Sequence, residues 1–127
     1  MKALIYIEIT ETVNYSYEKE LPVYIKNKYP DIITFDLDNR SDSFMFDYAI
    51  ELLEKSEKVI IVIDSKNNFS SSKILLLAEM ALKYKDKCMI IVNGENKFLN
   101  KIFSQFESNS FKNLSIEEEI KAIEQFI

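Results

Sequence analysis

Apolar runs alternate with amphipathic ones from one end of the chain to the other. Residues 3–9 are a short apolar and β-branched run that predicts a first strand. Residues 17–29 read as a first helix, with Pro22 expected to kink it or delay its start and Pro30 closing it. Residues 31–35 then open a second strand. Asp42 or Ser43 can cap a second helix running to about Lys55, with Phe46, Ala49, Ile50 and Leu53 at core spacing. Val59-Ile60-Ile61-Val62-Ile63 is apolar at every position, the pattern of a strand buried on both faces of a parallel sheet. A polar loop over residues 64–72 leads into a third helix over residues 73–85. Residues 89–92 predict a fourth strand, ended by Asn93-Gly94, and residues 97–107 a fourth helix. In that helix Phe98, Phe103 and Phe106 recur at helical spacing and are expected in the core. Residues 111–114 suggest a short edge strand whose pairing the pattern leaves open. Ser115-Ile116-Glu117-Glu118 is a capping-box signature that opens a last helix to Phe126.

Strand and helix alternate five times, which predicts one α/β domain over residues 1–127. Right-handed crossovers make it a three-layer, doubly wound parallel sheet, most simply in the flavodoxin-like order 2-1-3-4-5. The third helix departs from a one-sided pattern, because Leu75 and Leu76 point away from its apolar stripe. Either it lies centrally under its neighbours, or a partner surface covers its outer side, most simply in a two-fold homodimer. On that helix Glu79 and Lys83 share a flank at a spacing that favours a surface ion pair.

Composition narrows the chemistry more than it names it. The chain has no histidine, one glycine (Gly94) and one cysteine (Cys88). Histidine-based triads, histidine-ligated zinc, glycine-rich nucleotide loops and an internal disulfide are therefore all excluded. Cys88 sits in a strand-like run and reads as a small buried hydrophobe. The formal charge of −5 predicts no nucleic-acid binding, since no basic stripe exists to displace phosphate counterions. No apolar stretch is long enough for a membrane span and no signal-peptide pattern is present, so a cytoplasmic, membrane-free protein is expected.

Open α/β sheets bind ligands beyond the carboxyl ends of their strands, where the crossover direction reverses. In the order above that point lies between strands one and three. Strand one ends in Glu8-Ile9-Thr10-Glu11-Thr12, strand two in Asp36-Leu37-Asp38-Asn39, strand three in Asp64-Ser65 and strand four in Asn93-Gly94-Glu95. Glu8, Thr10, Asp64 and Asn93 thus become candidates for a carboxylate-rich pocket that takes a cation or sugar hydroxyls. No metal and no cofactor is assigned. The first loop, Thr10-Glu11-Thr12-Val13-Asn14-Tyr15-Ser16, resembles the hydroxyl-rich phosphate loop of flavodoxins, but Val13 stands in place of its glycine and Glu11 adds charge, so bound flavin is not expected.

Residues 48–82 carry the closest likeness. Ser56-Glu57-Lys58-Val59-Ile60-Ile61-Val62-Ile63-Asp64 is followed by the serine-rich Phe69-Ser70-Ser71-Ser72 and then by Ala78-Glu79-Met80-Ala81-Leu82. This resembles the strand, serine-bearing loop and glutamate-bearing helix of nucleoside 2-deoxyribosyltransferases and TIR domains. The resemblance implies a nucleoside or NAD-like ligand, N-glycosidic chemistry at Glu79, and ribose contacts from Asp64 and Ser72. The run into Asp64 also resembles response-regulator receiver domains. A non-catalytic interaction module of flavodoxin-like or receiver-like fold is the alternative, with the third or the fourth helix as its contact surface.

Overall fold

The computed structural model describes residues 1–10, 19–66, 71–106 and 108–127. In chain order the elements are β1 (Lys2–Ile9), α1 (Glu20–Lys28), β2 (Ile32–Asp38), α2 (Ser43–Lys55), β3 (Lys58–Ser65), α3 (Ser72–Lys83), β4 (Cys88–Asn93), α4 (Lys97–Phe103), β5 (Ser110–Lys112) and α5 (Ile116–Phe126). The five strands form one sheet in the order β2-β1-β3-β4-β5, every pair parallel. This is the expected flavodoxin-like, three-layer arrangement. Among the described residues no helix is long and apolar enough to cross a membrane.

Strand side chains alternate between the two faces. Ala3, Ile5, Ile7 and Ile9 of β1 meet Val59, Ile61 and Ile63 of β3 beneath α2, α3 and α4. Leu4 and Tyr6 meet Ile60, Val62, Met89 and Ile91 beneath α1 and α5, where Leu21, Ile25 and Ile123 close the layer. Both faces being covered explains why the β3 run is apolar without interruption. Cys88 is buried, and burial pushes its thiol up to about 12, so it behaves as the small hydrophobe expected.

Several boundaries shift for local reasons. The helix starts at Glu20, so Pro22 falls in the first turn, where its missing N–H has no intrahelical partner to lose. Tyr17 and Glu18 of the longer expected helix lie outside the described residues, as do Glu107, Phe69 and Ser70, and Glu11 to Ser16 of the first loop. α4 ends at Phe103 rather than running to residue 107. The Ser104 hydroxyl and the Gln105 amide both donate to the Lys101 carbonyl, at 2.8 and 3.3 Å, and take the acceptor that a longer helix would use. Phe106 is buried and Phe103 partly so, but Phe98 is 39% exposed, a correction to its expected core position. It sits in the first turn of a short helix, with the Lys97 ammonium over its ring.

The short edge strand does pair, through Ser110, Phe111 and Lys112 against Ile90, Ile91 and Val92. Asn109 and Asn113, with φ of 56° and 55°, bracket it in the left-handed region that asparagine tolerates better than most residues. Gly94 has φ of 87°, and a Cβ there would lie 1.9 Å from the Ser65 carbonyl oxygen. The one glycine is thus fixed by close backbone approach. On α3, Ile74, Leu77, Ala78 and Ala81 are buried and Leu75, Met80 and Leu82 partly so, while Leu76 is 49% exposed, so one leucine of this apolar-rich helix is left uncovered.

Candidate functional site at the carboxyl edge of the sheet

Parity along the strands decides which side chains share a site. In the register Glu8 lies between Asp38 and Asp64, and Asp64 lies beside Asn93. All are even steps from Leu4, or their equivalents on β3 and β4, so they rise on the α1/α5 face. Glu8, Asp64 and Asn93 are therefore brought together at the switch point. Thr10, one residue beyond β1, is buried. Its backbone N–H donates to Asn39 Oδ1 at 3.1 Å, and Arg40 Nη1 donates to its carbonyl at 3.1 Å. These bonds fix the β1 and β2 ends against each other.

The cluster is wired by short contacts. The Tyr6 hydroxyl donates to Asp64 Oδ2 at 3.3 Å, and the Lys66 ammonium lies 3.7 Å from the same oxygen. Lys19, immediately before α1, places its ammonium 2.5 Å from Glu8 Oε2. Asn93 donates through Nδ2 to Glu119 Oε2 at 3.2 Å and accepts the Leu114 backbone N–H at 2.9 Å. One asparagine thus ties β4 both to the β5–α5 turn and to a glutamate of α5.

Glu119 is the residue the pattern did not single out. It is only 7% exposed. Burial raises its pKa from 4.5 to about 7, with the Asp64 charge adding to the rise and the Asn93 hydrogen bond opposing it. Tyr6 is held well above its ordinary value by burial first and by Asp64 next. Asp36, which faces Tyr6 across the β1–β2 register, is also raised by burial, with Lys19 and Lys26 pulling it back. Glu119 was legible in principle: it interrupts the apolar stripe Ile116, Ile120 and Ile123 at i+3 and i+4 spacing. A glutamate on the buried side of an amphipathic helix was the available signal. Tyr6 was likewise recoverable from sharing Glu8's parity.

Glu79 and Ser72 are not brought into this cluster. Both lie on α3, in the helix layer on the other side of the sheet, and both are exposed. Glu79 lines a groove of about 350 Å³ between α3 and α4 with Leu75, Leu82, Phe98 and Lys101. The ion pair expected with Lys83 is not formed, and the Lys83 ammonium sits instead over the Tyr84 ring. Among the described residues, no group of three or more His, Cys, Asp or Glu is arranged to hold a metal ion. No family model, curated protein or solved structure matches this chain.

Proposed function

We propose that the chain binds a nucleoside or a comparable ribose-bearing molecule at the carboxyl edge of the sheet, and that a helix-borne glutamate acts on its N-glycosidic bond. The glutamate that supports this reading is Glu119 of α5, in place of Glu79. One observation carries it: a buried glutamate, tied to Asn93 at the end of β4 and within reach of the Asp64 charge, has its pKa raised by burial to about 7. Two carboxyl groups in unlike environments are the arrangement that separates an acid from a base.

The chemistry is balanced by these groups. As the bond from the anomeric carbon to the base nitrogen breaks, its electron pair goes to the base, and Glu119 supplies the proton that the leaving nitrogen takes up. The carboxylates of Asp64 and Glu8 face the positive charge that develops on the sugar. A water or a second acceptor then adds to the anomeric carbon and gives its proton to a carboxylate.

Release of free base from a panel of purine and pyrimidine nucleosides tests the reading. Glu119→Gln should lower the rate at least ~100-fold, the usual scale of a lost general acid, while Glu79→Gln leaves it unchanged. No base release and no thermal shift with any nucleoside overturns it.

A second reading, the interaction module, is favoured by Leu76. It is 49% exposed on a helix whose neighbours border the apolar α3–α4 groove. Self-association that Leu76→Glu abolishes, measured by analytical ultracentrifugation, supports this reading, and a monomer at high concentration removes it.

A further inference from the structure

Two cavities meet at Lys19 and Asp36, and they differ in charge. One, of about 200 Å³, lies over the ends of β1 and β2, and its charged lining is Glu8, Asp36, Asp38 and Lys19. Thr10 and Ser41 add hydroxyls. The other, of about 560 Å³, runs along α1 beside β2, and its charged lining is Lys19, Lys26 and Asp36. Asn27 and Thr34 add neutral hydrogen-bonding groups there. Three carboxyls face one ammonium in the first cavity, whereas two ammoniums face one carboxyl in the second. In a chain of formal charge −5, a lining with a cationic excess runs against the background.

The two lysines differ in commitment. Lys19 is held on Glu8 at 2.5 Å, at the junction of the cavities. Lys26 is exposed and makes no ion pair with any described residue, so its ammonium acts on Asp36 only through space. The small cavity is below the usual range for a whole drug-sized ligand and suits a sugar ring, while the larger one falls within that range. A ligand seated in both would present hydroxyls to acceptors at one end and negative charge to ammoniums at the other.

We propose that the ligand of this crevice is phosphorylated: its ribose hydroxyls meet Glu8, Asp38 and Ser41, and its phosphate lies in the α1–β2 groove on Lys26, with Lys19 at the junction. This rests on the preceding reading that the crevice takes a ribose-bearing molecule. Lysine acts here as a point charge toward the phosphate oxygens, a role that needs no planar fork. Asp36 lines both cavities, so the phosphate is placed on the Lys26 side of it.

Calorimetric titration with adenosine, adenosine 5′-monophosphate and inorganic phosphate separates the outcomes. The monophosphate should bind about tenfold more tightly than adenosine, the increment of one charge-assisted hydrogen bond. Lys26→Gln, a surface change with circular dichroism as its folding control, should erase that difference and leave adenosine binding unaltered. Equal affinity for adenosine and its monophosphate overturns the phosphate subsite while leaving the nucleoside reading in place. Phosphate binding without adenosine binding overturns the single-ligand proposal. No binding of adenosine or of its monophosphate sinks both.

Discussion

On the face of the sheet beneath α2, α3 and α4, the inward positions are apolar almost to the last residue: Ile5, Ile7 and Ile9 on β1, Ile61 and Ile63 on β3, Ile90 and Val92 on β4. On the face beneath α1 and α5, the same strands turn polar one step earlier, at Glu8, Asp64 and Asn93. The two faces share one backbone, one twist and one hydrogen-bond ladder. Their difference shows that a polar edge need not involve both faces of the sheet. Period-two alternation lets one face finish its core while the other opens into a crevice.

Perturbing the two faces should therefore produce different kinds of damage. The largest effect on stability is expected from Ile61→Ala, at the fully buried centre of the apolar face. Loss of ~2–5 kcal/mol in chemical denaturation is the expected scale for such a truncation, and a loss under ~1 kcal/mol would show that this face is loosely packed.

The polar face should answer to pH instead. Glu119 has a folded-state pKa near 7 against an ordinary 4.5, so the native state holds its proton more tightly than the unfolded chain does. The stabilisation is complete below about pH 4.5 and is lost as pH rises toward and through 7. At about 1.4 kcal/mol per pKa unit its size is at most about 3–4 kcal/mol. Thermal melts of the native chain and of Glu119→Gln should diverge across that window, and parallel melts at every pH would assign the proton elsewhere. Asp36, raised by desolvation at its own place on β2 against the pull of Lys19 and Lys26, acts with the same sign.

The smallest effect belongs to the outer side of α3. Leu76→Glu and Glu79→Gln should each move stability by less than ~0.5 kcal/mol, as exposed substitutions do. A larger loss from Leu76→Glu would show that something covers this helix in solution.

Much of the fold could be read from runs alone, since continuous apolar strands and one-sided helices leave few arrangements open to them. The site was half legible for the same reason. Glu8, Asp64 and Asn93 follow from asking what lies at strand ends, which needs only the strand order. Tyr6 and Glu119 required parity and helix phase as well, and the α5 stripe hides Glu119 among isoleucines. Glu79 drew notice through a likeness in residues 48–82, but α3 follows β3 and so packs in the layer opposite α1 and α5. A linear likeness carries no information about which side of the sheet a helix takes.

The shortness of β5 has a kinetic meaning. Three residues pair it to β4, and among the described residues it has no strand neighbour on its other side. Such an edge is the natural starting point for sub-global opening, and α5 follows directly from it. Amides of β5 and α5 should then exchange with solvent deuterium ahead of those of β1 and β3. Because Glu119 travels with α5, each such opening would part its carboxyl from Asn93 and from the Asp64 charge while leaving Glu8, Asp64 and Asn93 in place on the sheet.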